Sequence, residues 1–223
     1  MPTSDQNLHR IFDRTIVAVI RAESPDLLVD VAEALLAGGV EVMEVTFTVP
    51  RATRVIEKVA DKLGSRILLG AGTVLDPETA RTALLAGAEF IVSPAVNVEV
   101  IQMCRRYSKL CMPGAFTPTE VLTAWQAGAD IVKVFPSDLV GPKYLKLLHG
   151  PLPHIRLMPT GGVNLDTAAE FLAAGACALG VGSSLVDQKA LAAGDLKKIE
   201  SLAKQFVAKV AEYRAGKSSS LTP

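Results

Sequence analysis

A single lysine lies in the middle of an apolar, β-branched run. Residues 130–137 read DIVKVFPS, with Lys133 between Val132 and Val134. A run of this kind is typical of a strand that is buried on both faces. Burial favours the neutral amine, and a neutral lysine is the nucleophile that forms Schiff bases with ketones. The alternative interpretation is that the stem of Lys133 packs and its ammonium group reaches solvent at the end of the strand.

A glutamate occupies a similar setting. Residues 42–46 read VMEVT, and side-chain alternation separates Glu44 from the apolar Met43 and Val45. The apolar pair suits a covering layer of helices, so we expect Glu44 to point into the interior, where the same alternation directs Lys133 and Phe135. In one cavity, the lysine would attack a ketone while the glutamate moves protons. The alternative is a structural ion pair with no catalytic role.

Two segments combine glycine with hydroxyl-bearing side chains. Each follows a predicted strand, and they are Thr160-Gly161-Gly162 and Gly182-Ser183-Ser184. Glycine lets backbone N–H groups approach an anion, and the hydroxyl groups add further donors. The segments therefore predict a site for a terminal phosphate group on the substrate. Alternatively, these glycines serve only to make tight turns.

Eight strand-like runs provide the framework for these residues. They are 16–20, 42–46, 67–69, 90–92, 110–112, 131–135, 156–158 and 178–181. Segments with a helical spacing of apolar residues separate the runs, which indicates a parallel sheet. Eight strand–helix repeats predict an α/β fold of the closed (β/α)8 TIM barrel type, in a single domain. In such a barrel the active site lies at the carboxyl ends of the strands.

The helices between the strands carry start and stop signals. Ser24-Pro25, Asp76-Pro77 and Thr117-Pro118 each place a capping side chain before a proline. Glycines at 39, 87, 128 and 175 are predicted to end helices. The spacing of these signals indicates that a two-βα unit was reused, although common helix punctuation also recurs by chance.

The barrel is predicted to span residues 15–215. It follows a polar segment or helix at 1–14 and precedes a flexible tail at 216–223. The last part of the barrel, residues 196–213, is predicted to be an amphipathic closing helix.

The overall composition excludes several classes of function. The chain has 223 residues, 49% of them apolar, which is enough for one large core. Basic and acidic residues number 23 each, so no net charge favours nucleic acid or a membrane surface, and a small molecule is the expected partner. Three unpaired-looking cysteines and the lack of an apolar leader or spanning run predict a cytoplasmic protein. The histidines lack metal-binding spacing, so no metal or other cofactor is expected.

Together, these motifs resemble the class I aldolases that cleave 2-keto-3-deoxy-6-phosphogluconate (KDPG) and the related 4-hydroxy-2-oxoglutarate aldolases. The matching motifs are AGG at 37–39, EVT at 44–46, GAGTV at 70–74, FIVSP at 90–94, MPG at 112–114, KVFP at 133–136 and PTGGV at 159–163. The resemblance implies a homotrimer in which Lys133 forms the Schiff base and Glu44 moves protons. It also implies substrate-binding roles: the carboxylate for Thr73, the pocket wall for Pro94 and Phe135, and the phosphate for Thr160, Gly161, Gly162 and Ser183.

One position departs from the family pattern. Many members carry an arginine four residues after the glutamate, where it contacts the substrate carboxylate, and here the residue is Thr48. A threonine cannot make the bidentate, charge-assisted contact of an arginine. Arg21, at the end of the first strand, is the expected substitute, and Arg51 is the second candidate. The preferred length of the substrate acid therefore stays open.

Two other functions remain compatible with the sequence. A sugar-phosphate epimerase or isomerase would use Glu44 as a base and Lys133 as a cation beside an enediolate. A non-catalytic module that binds a phosphorylated acid would use Lys133 only as a counter-charge. Of the three, the aldolase is the one expected to form a covalent adduct with pyruvate.

Overall fold

A computed structural model of the protein describes residues 3–219 and shows an α/β fold built on parallel strands. Within these residues the strands are β1 (Ile16–Ile20), β2 (Val42–Thr46), β3 (Leu68–Gly72), β4 (Phe90–Val92), β5 (Leu110–Met112), β6 (Gly114–Ala115), β7 (Val132–Val134), β8 (Leu157–Pro159) and β9 (Leu179–Val181). The helices are α1 (Ser4–Arg14), α2 (Leu28–Ala37), α3 (Ala52–Leu63), α4 (Pro77–Leu85), α5 (Val98–Arg106), α6 (Pro118–Gln126), α7 (Gly141–His149), α8 (Ala168–Ala173), α9 (Gln188–Ala192) and α10 (Leu196–Ser219). All eight predicted strands are present, although several begin or end at other residues than predicted.

The strands form two curled parallel sheets. Six strands pair in the order β5-β4-β3-β2-β1-β9, and three pair in the order β6-β7-β8. Between β8 and β9, the Cys177 N–H donates to the Leu157 carbonyl at 2.9 Å, and Thr160 bridges to Gly180. A complete eight-stranded barrel, as the sequence predicts, is not confirmed. Pro113 separates β5 from β6 because proline has no N–H to donate to a neighbouring strand.

Apolar side chains pack in two layers. The first, which we call the interior cluster, consists of Leu8, Ile11, Val17, Val42, Leu68, Phe90, Val92, Leu110, Met112, Ile131, Met158 and Ala178. The second lies between strands and helices and includes Met43, Val45, Val132 and Val134. The division confirms the predicted alternation along β2 and β7, since neighbouring residues of each strand belong to different layers.

Helix α1 covers the amino ends of the strands. Its Leu8 and Ile11 belong to the interior cluster, next to residues such as Val17 and Val42 that lie early in their strands. A capping box at Thr3 fixes the start of this helix. The carboxyl ends of the strands, at the opposite side of the interior cluster, are left to form a site.

Helix starts agree with the sequence at two of the three predicted positions. Asp76 and Thr117 cap α4 and α6 through their side chains. Ser24 does not cap a helix, since α2 begins at Leu28 and the Ser24 hydroxyl donates to Asp26 at 2.7 Å. The predicted stop signals are confirmed by positive φ angles at Gly39, Gly87, Gly128 and Gly175.

The last helix is longer than predicted. Helix α10 continues to Ser219, so the first part of the predicted tail at 216–223 is helical. Residues 1–2 and 220–223, which belong to the predicted terminal segments, lie outside the described residues. No helix between residues 3 and 219 has the length and apolar character to cross a membrane.

Candidate active site

Lys133 lies in the interior, as predicted. Its side chain is buried, with 7% of the residue surface exposed. The backbone N–H of Lys133 donates to the Pro113 carbonyl at 2.9 Å. The ammonium nitrogen lies 4.9 Å from the centroid of the Phe135 ring. Burial lowers the pKa of Lys133 below its ordinary value, Glu44 opposes part of this shift, and the positive charge of Arg21 adds to it. The site therefore favours the neutral, nucleophilic amine.

Glu44 is the carboxylate that acts on Lys133. It lies on β2 with 1% of its surface exposed, and its Oε2 has no hydrogen-bond partner among residues 3–219. Burial raises the pKa of the Glu44 carboxyl group, and the charges of Lys133 and Arg21 oppose part of that rise. A raised pKa makes the carboxylate a stronger base, which suits a group that accepts and returns a proton.

A cavity of about 290 Å³ opens above these strands. Residues to which the sequence assigns a site role line it together, and they are Arg21, Lys133, Phe135, Thr160, Gly161, Gly162, Gly182 and Ser183. Val19, Val163, Ser184 and Gln188 complete the wall. The cavity thus joins Lys133 to the cation of Arg21 and to both glycine-containing segments.

The two glycine-containing segments form one wall of the cavity. Gly161 and Gly162 have φ angles of 89° and 71°, in the region that favours glycine. A Cβ atom on Gly162 would also lie 2.8 Å from the Asp138 Cα. In the described part of the chain, the N–H groups of Gly161, Gly162, Ser183 and Ser184 in this wall donate no hydrogen bond. Such free N–H groups around a concavity can bind a phosphate group.

Thr160 connects this wall to the lysine strand. Its N–H donates to the Val134 carbonyl at 2.9 Å and to the Ser137 hydroxyl at 3.2 Å. The Ser137 hydroxyl in turn donates to the Val134 carbonyl at 2.7 Å. The Thr160 side chain is buried, and its hydroxyl oxygen has no hydrogen-bond partner among the described residues. That hydroxyl lies against Gly180, where an added Cβ atom would collide with it.

Of the two candidate arginines, the structure favours Arg21. Arg21 lines the cavity, and its charge shifts the pKa values of both Glu44 and Lys133. Arg51 is exposed, precedes α3 with a left-handed φ of 58°, and does not belong to the cavity wall. A carboxylate in the cavity would therefore meet the guanidinium group of Arg21.

Three predicted binding residues lie outside the cavity wall. Thr48 is exposed, and its hydroxyl is hydrogen-bonded to that of Thr46 at 2.8 Å. Thr73 is half-buried with a φ of 57°, which is strained for a β-branched residue. Pro94 packs against Gly114, where a Cβ atom would collide with the Pro94 backbone. The structure thus does not bring these residues together with the cation and the glycine-containing segments.

The sequence analysis missed two residues that organise the site. Gln188, the first residue of α9, lines the cavity, and its side chain donates to the Arg21 carbonyl at 3.0 Å. Ser137 ties the segment after β7 to the segment after β8. Ser137 lies in the same 130–137 stretch as Lys133, which could have marked it as a site residue. Gln188 carries no such signal, because it lies 167 positions from Arg21 in the chain. Among residues 3–219, no cluster of side chains is arranged to hold a metal ion.

Several known proteins are similar to this chain in sequence and in fold. A family model described as KDPG and KHG aldolase matches residues 9–202. The 2-dehydro-3-deoxy-phosphogluconate aldolase of Treponema pallidum (strain Nichols) is 36% identical over 191 residues, covering 85% of this chain and 90% of that protein. The 2-dehydro-3-deoxy-6-phosphogalactonate aldolase of Escherichia coli (strain K12) is 34% identical over 200 residues, covering 89% and 94%. A KDPG aldolase from Legionella pneumophila, solved with pyruvate as a covalent carbinolamine, has a TM-score of 0.82 at 28% identity, covering 88% of this chain and 96% of that one.

Proposed function

The chain belongs to the KDPG and KHG aldolase family, whose curated relatives are carbon–carbon lyases, and on that premise we propose that it cleaves KDPG through a Schiff base on Lys133. The products are pyruvate and glyceraldehyde 3-phosphate. The observation that carries the proposal is the burial of Lys133 at the wall of a cavity that also holds Arg21 and the glycine-containing segments. No cofactor is invoked.

The reaction begins at the lysine nitrogen. The neutral amine of Lys133 attacks the C2 ketone, and loss of water gives a protonated imine. Burial supports this step because it lowers the pKa of Lys133 and so increases the fraction of free amine. The Phe135 ring, 4.9 Å from the nitrogen, limits access of water to it.

Glu44 then moves the protons. Through a water molecule, its carboxylate accepts the proton of the C4 hydroxyl group as the C3–C4 bond breaks, and the bonding electrons pass into the imine to give an enamine. The enamine takes a proton at C3, and hydrolysis releases pyruvate and the free lysine. The raised pKa of Glu44 supports both directions of proton transfer.

The two anionic ends of the substrate have separate partners in this proposal. The guanidinium group of Arg21 holds the carboxylate next to the imine, in place of the arginine that Thr48 replaces. The free N–H groups of Gly161, Gly162 and Ser183 hold the phosphate group, with Thr160 in the same wall. The shorter 4-hydroxy-2-oxoglutarate is a second substrate, supported by the family model.

Reductive trapping tests this function. Pyruvate and borohydride should add the mass of a reduced pyruvate adduct to the wild-type protein, and peptide mapping should place it on Lys133. Lys133→Ala should abolish the adduct, whereas Lys146→Ala, an exposed helix lysine, should keep it. Glu44→Gln should form the adduct more slowly. An adduct of equal yield in Lys133→Ala would refute the assignment.

The same experiment separates the aldolase from its rivals. A sugar-phosphate epimerase or isomerase gives no pyruvate adduct but converts its substrate. A binding module gives neither an adduct nor turnover, and is only stabilised by its ligand against heat.

We also propose how this enzyme is organised beyond its site. The two sheets close into one (β/α)8 barrel in a single domain at 15–215, which the bridge between Thr160 and Gly180 supports. Three copies associate as a homotrimer, by analogy with the family. A cytoplasmic location is supported by three free cysteines.

A further inference from the structure

Two buried side-chain polar atoms lack a hydrogen-bond partner among residues 3–219, and the side chain that carries each one lies against a glycine of the neighbouring strand. The atoms are Glu44 Oε2 and Thr160 Oγ1. A Cβ atom on Gly180 would collide with the Thr160 hydroxyl and lie 3.1 Å from the Thr160 Cβ. A Cβ atom on Gly72 would collide with Glu44 Oε1 and lie 2.7 Å from Glu44 Cδ. Both polar groups therefore occupy space that a missing side chain provides.

The backbone at Gly72 does not itself require glycine. Gly72 ends β3, where it pairs with Thr46, and its φ is not in the left-handed region. The three heavy atoms nearest to an added Cβ atom would all belong to the carboxylate of Glu44. This carboxylate is the end of a flexible side chain, so it can rotate away from a methyl group. Alanine at this position would thus displace the proton carrier and leave the strand in place.

We propose that Gly72 is a positioning residue for the aldolase reaction, because its missing side chain fixes the place of the Glu44 carboxylate beside the imine on Lys133. The inference rests on the proposed function. In the half-reaction with pyruvate, Glu44 takes a proton from C3 of the imine, the C–H electron pair becomes the enamine double bond, and the C=N pair moves to nitrogen. In D2O the reverse step returns a deuteron to C3.

Deuterium exchange into pyruvate, followed by NMR, tests this role. Gly72→Ala should still allow borohydride to trap pyruvate on Lys133, because the lysine does not move, although the adduct should form more slowly, as in Glu44→Gln. Its C3 exchange should fall by about 10²-fold, as expected when a proton-transfer group is misplaced. Gly216→Ala is the matched control, since its methyl group would meet no atom within 4 Å. The control should exchange at the wild-type rate.

Glu44 variants distinguish positioning from general damage. In Glu44→Gln the proton carrier is already lost, so adding Gly72→Ala should leave the residual exchange unchanged. In Glu44→Asp the shorter side chain does not reach the methyl group. Adding Gly72→Ala should therefore reduce the exchange rate by a smaller factor than it does in wild type. An equal loss in the Glu44→Gln background, or wild-type exchange by Gly72→Ala, would overturn the proposal.

Stability provides a second test in case Gly72→Ala does not fold. Glu44→Ala removes the atoms that the new methyl group would meet. The Glu44→Ala/Gly72→Ala double variant should therefore have the same melting temperature as Glu44→Ala. A further fall of more than about 4 °C would mean that the backbone requires glycine, and the inference would be wrong. Failure of the proposed function is separate, since it appears as the lack of a pyruvate adduct on Lys133 in wild type.

Discussion

Lys133 and Glu44 are oppositely charged groups whose pKa values shift toward each other. Burial favours the neutral form of each, which lowers the pKa of the amine and raises that of the carboxyl group. Each charge also favours the charged form of its partner and so opposes part of the effect of burial. Arg21 acts on both groups in one direction, because a positive charge lowers the pKa of any neighbouring acid.

The pH dependence of imine formation should show how the charges of Arg21 and Glu44 shift the pKa of Lys133. The rate with pyruvate should rise with pH through the pKa of Lys133, which lies below the ordinary lysine value of about 10.4. Arg21→Gln removes a positive charge, so it should move this inflection to higher pH. Glu44→Gln removes a negative charge, so it should move the inflection to lower pH. Stopped-flow trapping across pH measures both, and shifts in the same direction would contradict this account.

Arg21 and Arg51 give a direct test of the carboxylate anchor. Arg21→Met should raise the KM for the substrate by about 10-fold or more, because a charge-assisted hydrogen bond contributes about 1.5–3 kcal/mol. Arg51→Met changes an exposed arginine outside the cavity wall and should leave KM unchanged. Steady-state kinetics on KDPG compare the two. A larger effect at Arg51 would reverse the assignment.

At the level of elements, the amino and carboxyl ends of the strands have different tasks. Helix α1 covers the amino ends and supplies Leu8 and Ile11 to the interior cluster. The loops at the carboxyl ends supply the cavity wall, including Thr160 and Ser183. Changes in α1 should therefore act on stability and leave the chemistry intact.

Ile11 is the position where this separation can be measured. The residue is fully buried, with 0% of its surface exposed, so Ile11→Ala should lower the free energy of unfolding by about 2–5 kcal/mol. Asp13→Ala, on the exposed side of the same helix, should change it by less than about 0.5 kcal/mol. Urea denaturation gives both values. Loss of kcat by the folded Ile11→Ala protein would argue against the separation.

On the scale of the whole molecule, several large apolar side chains remain exposed on one chain. Leu85, Leu139 and Leu147 expose 70%, 74% and 63% of their surfaces. Association of copies can bury side chains of this kind, as in the homotrimer that we propose.

The mass of the protein in solution tests the homotrimer. Light scattering coupled to size exclusion should give three times the 23.5 kDa of one chain. The mass should persist on dilution to micromolar concentrations, because association between folded copies that bury apolar surface is stable there. A monomer mass at these concentrations would exclude the trimer.

Local patterns in the sequence were sufficient to predict much of the fold. Alternation along 42–46 and 131–135 placed Glu44 and Lys133 in the interior, because side chains of a strand point to opposite faces. The caps at Asp76 and Thr117 were also predictable, since a cap involves residues only a few positions apart. The predicted cap at Ser24 was wrong, because α2 begins at Leu28 and no side chain caps its first turn.

By itself, the sequence determined the strands, their inward faces and the interior positions of Lys133 and Glu44, because each of these depends on neighbours in the chain. The tertiary structure decided the contact from Gln188 to Arg21 and the space that Gly72 leaves for the Glu44 carboxylate. It also placed Thr48, Thr73 and Pro94 outside the cavity wall. These features depend on which strands and loops meet in space, and residues distant in the chain meet only after folding.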